Sequence, residues 1–184
     1  MGPTSDQPVR LWVLEEHRDG LWPVIRRVWG RRGVRVHAPC ATKYQWGYLH
    51  EALEVDGAHH PELLFTPAID RDIPAGFLPQ IAASDPQALH VVIQDRAGFH
   101  LPSNDPRLPK NLRLPPLPPY SPELNPVERF GGLLKARAVN RLYPSLRRLE
   151  DHLFAASREW TQPAKVAGLI HRWLAEQVNS GAPI

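Results

Sequence analysis

Leu89-His90-Val91-Val92-Ile93-Gln94-Asp95 is a short, largely apolar run that closes on an amide and a carboxylate. A strand with one wet face alternates apolar and polar residues, whereas a strand buried on both faces reads as a continuous apolar run. This stretch is of the second kind and predicts a parallel strand inside a sheet. Just upstream, Ile73, Phe77, Leu78 and Ile81 recur at helical offsets within Asp72 to Ala83. They predict a short amphipathic helix, although Pro74, Gly76 and Pro79 have low helix propensity. A helix leading into a buried strand points to an α/β domain.

Further upstream, Leu11-Trp12-Val13-Leu14 reads as a first strand. Leu21 to Arg35, turning at Gly30-Arg31-Arg32-Gly33, reads as strand, turn, strand. Thr42 to Leu49, with Tyr44, Trp46 and Tyr48, reads as a further strand, and Glu62 to Pro67 as its hairpin partner after a turn at Glu54 to Ala58. Downstream, Asn111 to Leu114 is a short strand candidate, and Pro115 to Pro126 is a rigid loop. Val127, Phe130, Leu133, Leu134 and Ala138 then recur at helical spacing, and two more helices are expected at Ser145 to Trp160 and Pro163 to Val178. The expectation is a mixed central sheet, antiparallel in its first three strands and parallel thereafter, flanked by helices. Residues 11–178 form the domain, with a disordered segment at 1–10 and a tail at 179–184.

Composition narrows the class. At 184 residues the chain is one domain with room for a real core. An apolar content of 42% against 22% charged excludes general disorder. Cys40 is the only cysteine, which excludes an intrachain disulfide and a cysteine-based zinc site. His59-His60 has no third ligand at a telling spacing. The polar start has no apolar signal core, and no apolar run reaches membrane-spanning length, so a cytoplasmic protein without a membrane partner is expected. A formal charge of +3 admits a nucleic-acid partner without arguing for one. Proline is abundant: eight of the 21 fall between Pro106 and Pro126.

Three acids stand at informative places. Glu15, with Glu16 beside it, follows the first apolar strand; Asp95 ends the most apolar one; Glu128 lies in the first turn of the strongest helix. Ligand sites in open α/β sheets lie beyond the carboxyl ends of the strands. Carboxylates gathered there suit Mg²⁺, a hard ion that prefers oxygen donors. Each acid also has a plainer reading: a solvated strand end for Glu15, a turn for Asp95, and a capping position for Glu128, since Asn125-Pro126-Val127-Glu128 is a favourable helix start.

The segment Leu114-Pro115-Pro116-Leu117-Pro118-Pro119-Tyr120-Ser121-Pro122-Glu123-Leu124-Asn125-Pro126-Val127-Glu128-Arg129-Phe130 resembles a signature of Tc/mariner-type transposases, in particular the bacterial insertion-sequence branch known as the IS-six-thirty group. Val91 to His100 resembles the family segment that holds the second catalytic Asp. Glu15 to Leu21, followed by Arg26 to Gly33, resembles a third family segment. The resemblance implies an RNase H-like domain whose acidic triad binds two Mg²⁺ or Mn²⁺ ions, cleaves DNA at the transposon end and joins the freed 3′-OH to target DNA. It places Glu15, Asp95 and Glu128 as catalytic metal ligands, with Asn125 capping the helix that carries Glu128. Glu15 stands where the family has Asp, and Glu16 remains an alternative first ligand. Asp19 stands where the family has an apolar residue, and Gly131-Gly132 where it has a bulky aromatic; these departures read as a degenerating copy.

The resemblance also implies partners. Arg26, Arg27, Arg31, Arg32 and Arg35, set among Trp22 and Trp29, are candidate phosphate contacts, the alternative being a solvated hairpin. His100 is a candidate for phosphate contact or for ordering the site. Lys135, Arg137, Arg141, Arg147 and Arg148 read as ordinary helix surface, with DNA contact as the alternative. Trp12, Trp46, Trp160 and Trp173 read as packing residues, and Cys40 as a small, buried one. Relatives carry helix-turn-helix modules that read transposon ends, and only ten residues precede the first strand here. The expectation is a truncated copy or the downstream half of a split gene, acting as a homodimer or with a separate helix-turn-helix chain. Two rivals remain: a catalytically dead remnant that binds DNA or a partner, and a generic RNase H-like nuclease.

Overall fold

The computed structural model describes residues 7–37, 41–56, 61–95, 97–115, 117 and 125–180, with 172–180 as backbone only. Cys40, His59, His60, Trp173 as a side chain, and most of the proline-rich loop lie outside the described residues.

Five strands form one sheet in the order β3-β2-β1-β4-β5. They are β1 (Val9–Gly20), β2 (Trp46–Glu54), β3 (Pro61–Thr66), β4 (Leu89–Ile93) and β5 (Leu112–Arg113). β1, β2 and β3 pair antiparallel, and β4 and β5 add in parallel beyond β1. The helices are α1 (Asp72–Ala83), α2 (Val127–Ala138), α3 (Leu146–Trp160) and α4 (Pro163–Ser180). This is the mixed α/β, RNase H-like arrangement expected.

Side chains alternate across a strand, so β1 feeds two cores. Trp12 and Leu14 pack with Phe77, Leu78 and Ile81 of α1 and with Val92. Val13 packs on the opposite face with Leu49, Leu53, Val127, Phe130, Leu134, Leu149 and Leu153. Full burial of such side chains contributes about 1.5–3 kcal/mol each. Trp12 adds a polar tie, its indole N–H donating to His90 Nδ1 at 3.0 Å.

β1 differs from its expected extent at both ends. It begins at Val9, inside the segment expected to be disordered, because Val9 to Val13 pair with Leu89 to Ile93. It runs on to Gly20 because its antiparallel partner continues to Trp46. Glu15 and Glu16 therefore lie within the strand rather than after it. β2 starts at Trp46, four residues later than expected, and extends through Glu54.

The expected strands within Leu21 to Arg35 do not form. Only the turn is present, with Gly33 at φ +82°. Residues 24–37 are exposed on all sides. An arginine-rich chain there finds no second face to bury and no edge to pair with. The base of this arm is closed by Leu21 N–H donating to Gln45 O at 3.0 Å.

Candidate active site

Alternation along β1 separates two adjacent acids. Glu15 faces α2, on the side of Val13; Glu16 faces α1, on the side of Leu14. Asn125 receives Glu15. Its Nδ2 donates to Glu15 Oε2 at 2.9 Å and to Leu14 O at 3.1 Å. Its Oδ1 accepts Val127 N–H at 3.1 Å, which satisfies one orphan donor of the helix start. One amide thus joins the strand carrying Glu15 to the turn carrying Glu128. Burial, and then the negative charge of Glu128, push Glu15 up to about 7. Glu128 itself is exposed in the first turn of α2, where the helix dipole favours an anion.

Asp95 arrives from the neighbouring strand. Val13 and Ile93 are paired in parallel, and Glu15 and Asp95 lie two residues beyond each. Asp95 is half exposed at 52% of its side chain. Its Oδ1 accepts Ala97 N–H at 2.9 Å and lies 3.1 Å from His100 Nδ1. His100 Nδ1 also donates to Asp95 O at 3.0 Å, and its Nε2 lies 3.0 Å from both oxygens of Glu16. Glu16 lies opposite His50 across the β1–β2 ladder, with His50 Nδ1 3.5 Å from Glu16 Oε1. His50 Nε2 in turn is 3.1 Å from Thr66 Oγ1. Burial opposes the charge of Glu16, but hydrogen bonds from His100 and His50 hold it below the ordinary carboxylate range. Burial likewise opposes the charge of His100, yet the Glu16 carboxylate raises it.

The candidate ligands Glu15, Asp95 and Glu128 are all carboxylates, a set that suits a hard divalent cation. Among the described residues, no three His, Cys, Asp or Glu side chains are gathered as a ready-made ion cage. A cleft of about 400 Å³ adjoins Asp95, lined in part by Arg71, Gln94, Ser103 and Leu114.

The sequence pattern of the family described as DDE superfamily endonuclease matches residues 10–150. The chain belongs to this family. An uncharacterized protein, y4pE/y4sA, of Sinorhizobium fredii (strain NBRC 101917 / NGR234) is 32% identical over 114 residues, covering 60% of this chain and 84% of that protein. Among solved structures, the Mos1 mariner paired end complex with Mn matches with a TM-score of 0.61 at 17% identity, over 89% of this chain and 53% of that one. The catalytic domain of Mos1 mariner transposase matches with a TM-score of 0.51 at 15% identity, over 95% and 84%. At such identities the likeness concerns the fold. The chain spans about half the length of the Mos1 chains in the paired-end complexes.

Beside the acids, the DDE endonuclease domain carries a buried polar group that the sequence did not announce. His17 Nε2 lies 3.1 Å from Glu51 Oε2, too poorly aligned to count as a hydrogen bond, and His17 Nδ1 lies 3.0 Å from Lys135 Nζ. Burial pushes Glu51 up, with His17 opposing. Burial opposes the charge on His17 too, but Glu51 raises it. Gly131 is what admits this group: a Cβ there would lie 1.7 Å from His17 Nε2 and 2.8 Å from Glu51 Oε2. The helix needs a glycine here to approach β1 at His17. Lys135, expected on the helix surface, belongs to this group; Arg137 pairs with Glu159 on the surface instead.

The DDE endonuclease arm carries Arg26, Arg27, Arg31, Arg32 and Arg35, all exposed, around a fully exposed Trp29. Asn140 anchors its root. Its Oδ1 accepts Arg26 N–H at 3.0 Å and its Nδ2 donates to Arg26 O at 3.2 Å, from a left-handed φ of 56°. A lone Asn after a helix was the available signal, because Asn tolerates that region. His100, named as a phosphate-contact candidate, is buried, and both of its nitrogens face protein oxygens.

Proposed function

We propose that this DDE endonuclease domain is a transposase catalytic domain that cleaves a DNA strand at a transposon end and joins the freed 3′-OH to target DNA. The observation that carries the reading is the hydrogen bond that ties Glu15 to Asn125, three residues before Glu128, with Asp95 at the same level of the adjacent parallel strand. Glu15, Asp95 and Glu128 would hold two Mg²⁺ or Mn²⁺ ions, which supply an activated oxygen nucleophile and charge compensation at the leaving oxygen. The chain's own residues orient the site: Asn125 fixes Glu15 against α2, and the half-exposed Asp95 opens onto the cleft beside it.

DNA is the expected substrate. The exposed arginines of the arm suit salt-dependent backbone contact, and Trp29 with Val28, Val34 and Val36 offers apolar surface to a second copy of the chain or to a separate end-reading chain. Three of the similar Mos1 structures are paired-end complexes, one with a left transposon end and the others with Mn or Mg. Among the described residues no helix is long and apolar enough to cross a membrane.

A second reading has one observation in its favour. Glu15 replaces the Asp of the resemblance and sits at a pKa of about 7, so an impaired enzyme that retains DNA or partner binding is the rival. Purified protein with Mn²⁺ and labelled DNA tests both. Cleavage lost in Asp95→Ala supports the enzyme; cleavage gained in Glu15→Asp places impairment at that residue. Strand-transfer products separate a transposase from a nuclease that only cuts.

A further inference from the structure

We propose that Glu16 and His100 are positioning residues that fix the carboxylate of Asp95, through a chain running Glu16–His100–Asp95 and braced by His50 and Thr66. The proposal rests on the reading of Asp95 as a metal ligand. Asp95 lies beyond the last residue of β4 and half in solvent, so its own strand does not hold its side chain. What holds it is lateral. Ala97 N–H and His100 Nδ1 both reach Oδ1, and among the described residues no hydrogen bond reaches Oδ2. One oxygen is thus fixed by the protein.

The orientation of His100 follows from its neighbours. Nδ1 faces Asp95 O and Oδ1, and Nε2 faces both oxygens of Glu16. Every partner is an acceptor, so both nitrogens donate, and Glu16 supplies the opposing charge. Glu16 is in turn fixed by its cross-strand neighbour His50, whose other nitrogen meets Thr66 Oγ1; that hydroxyl donates to Ala68 O at 2.6 Å. The chain crosses the sheet from β3 through β2 and β1 to the end of β4. It lies on the α1 face, so Glu16 cannot share an ion with Glu15, which points to the other face.

Partners of metal ligands orient those ligands, and losing one typically costs about 10–100-fold in metal affinity or activity. The test measures Mn²⁺ affinity by calorimetry on DNA-free protein, with DNA-cleavage kcat and KM measured separately. Glu16→Gln and His100→Ala should each weaken Mn²⁺ binding by about 10-fold or more and lower kcat, with KM for DNA unchanged. His100→Asn, whose amide can replace the Nδ1 donor, should recover part of the affinity lost in His100→Ala. If Glu16→Gln or His100→Ala does not fold, wild-type side-chain ¹⁵N–¹H spectra decide: Mg²⁺ should shift the His100 ring N–H signals, and Asp95→Asn should abolish that shift.

Mn²⁺ affinity within twofold of wild type in both folded variants, or ring signals indifferent to Mg²⁺, would overturn the proposal while leaving Asp95 as ligand. Loss of binding in Glu16→Gln as complete as in Asp95→Ala, with no recovery in His100→Asn, would make Glu16 a ligand and overturn it too. Unchanged Mn²⁺ binding in Asp95→Ala would instead overturn the underlying reading of the site.

Discussion

Glu15 and Glu16 are chemically identical neighbours, and the fold gives them opposite fates. Glu15 meets an amide and another acid, and burial with the charge of Glu128 drives its pKa to about 7. Glu16 meets two histidines, and its pKa falls. On the α1 face the carboxylate of Glu16 is paired with histidines, whereas on the α2 face burial and a like charge disfavour ionisation of Glu15. Burial and a neighbouring like charge both disfavour ionisation of a carboxylate, and a bound cation would favour it again.

The comparison breaks most directly through activity. Glu15→Gln or Glu128→Gln should lower DNA cleavage by at least about 10²-fold, the scale of a misplaced reacting group. Stability then separates the pair. Glu16→Gln removes the counter-charge of a buried histidine and should destabilise the fold by about 3 kcal/mol in urea unfolding. Glu15→Gln should stabilise the metal-free protein at neutral pH.

The pH dependence has matching signs. The Glu15 carboxyl titrates near 4.5 when unfolded and near 7 when folded. Between these values the unfolded chain releases its proton first, so stability falls as pH rises and the loss is complete above about 7. The size is on the order of 2 kcal/mol after allowance for partial exposure. Glu16 behaves oppositely: its contribution is present above the unfolded carboxylate value and is lost as pH falls through its lower folded value. Unfolding measured from pH 4 to 8 should decline less steeply in Glu15→Gln than in wild type, the remaining decline coming from Glu51, His17 and His100, which the fold also raises.

The two glycines of α2 give a smaller, sharper contrast. A Cβ at Gly132 meets nothing within 4 Å, so Gly132→Ala should stabilise by up to about 1 kcal/mol. Gly131→Ala should instead destabilise by about 1–3 kcal/mol through overpacking against His17, and adding His17→Ala should reverse much of that. The smallest effect concerns the arm: Arg31→Ala with Arg32→Ala should weaken DNA binding evenly across sequences and flatten its salt dependence by about one contact each.

The sequence made the sheet legible where burial left a pattern. Leu89 to Ile93 and Asp72 to Ala83 have the predicted bounds because both-face burial and helical spacing act locally. The length of β1 was not legible, since Glu15 to Gly20 are strand only by virtue of β2 and no apolar run marks them. The arm reads as a hairpin by composition, but exposed arginines and valines with no partner do not form strands. The acids were found by their places and by resemblance. What joins them was not: Asn125 bonding Glu15, His100 bonding Glu16, and Gly131 yielding to His17 are contacts between residues 84 to 114 apart in the chain.

The most direct test is Mn²⁺-dependent cleavage of labelled DNA by purified wild-type protein beside Asp95→Ala, both shown to be folded. The account predicts nicked and joined products from wild type that vanish with chelator and fall at least about 10²-fold in Asp95→Ala. Equal cleavage by the two proteins would contradict it.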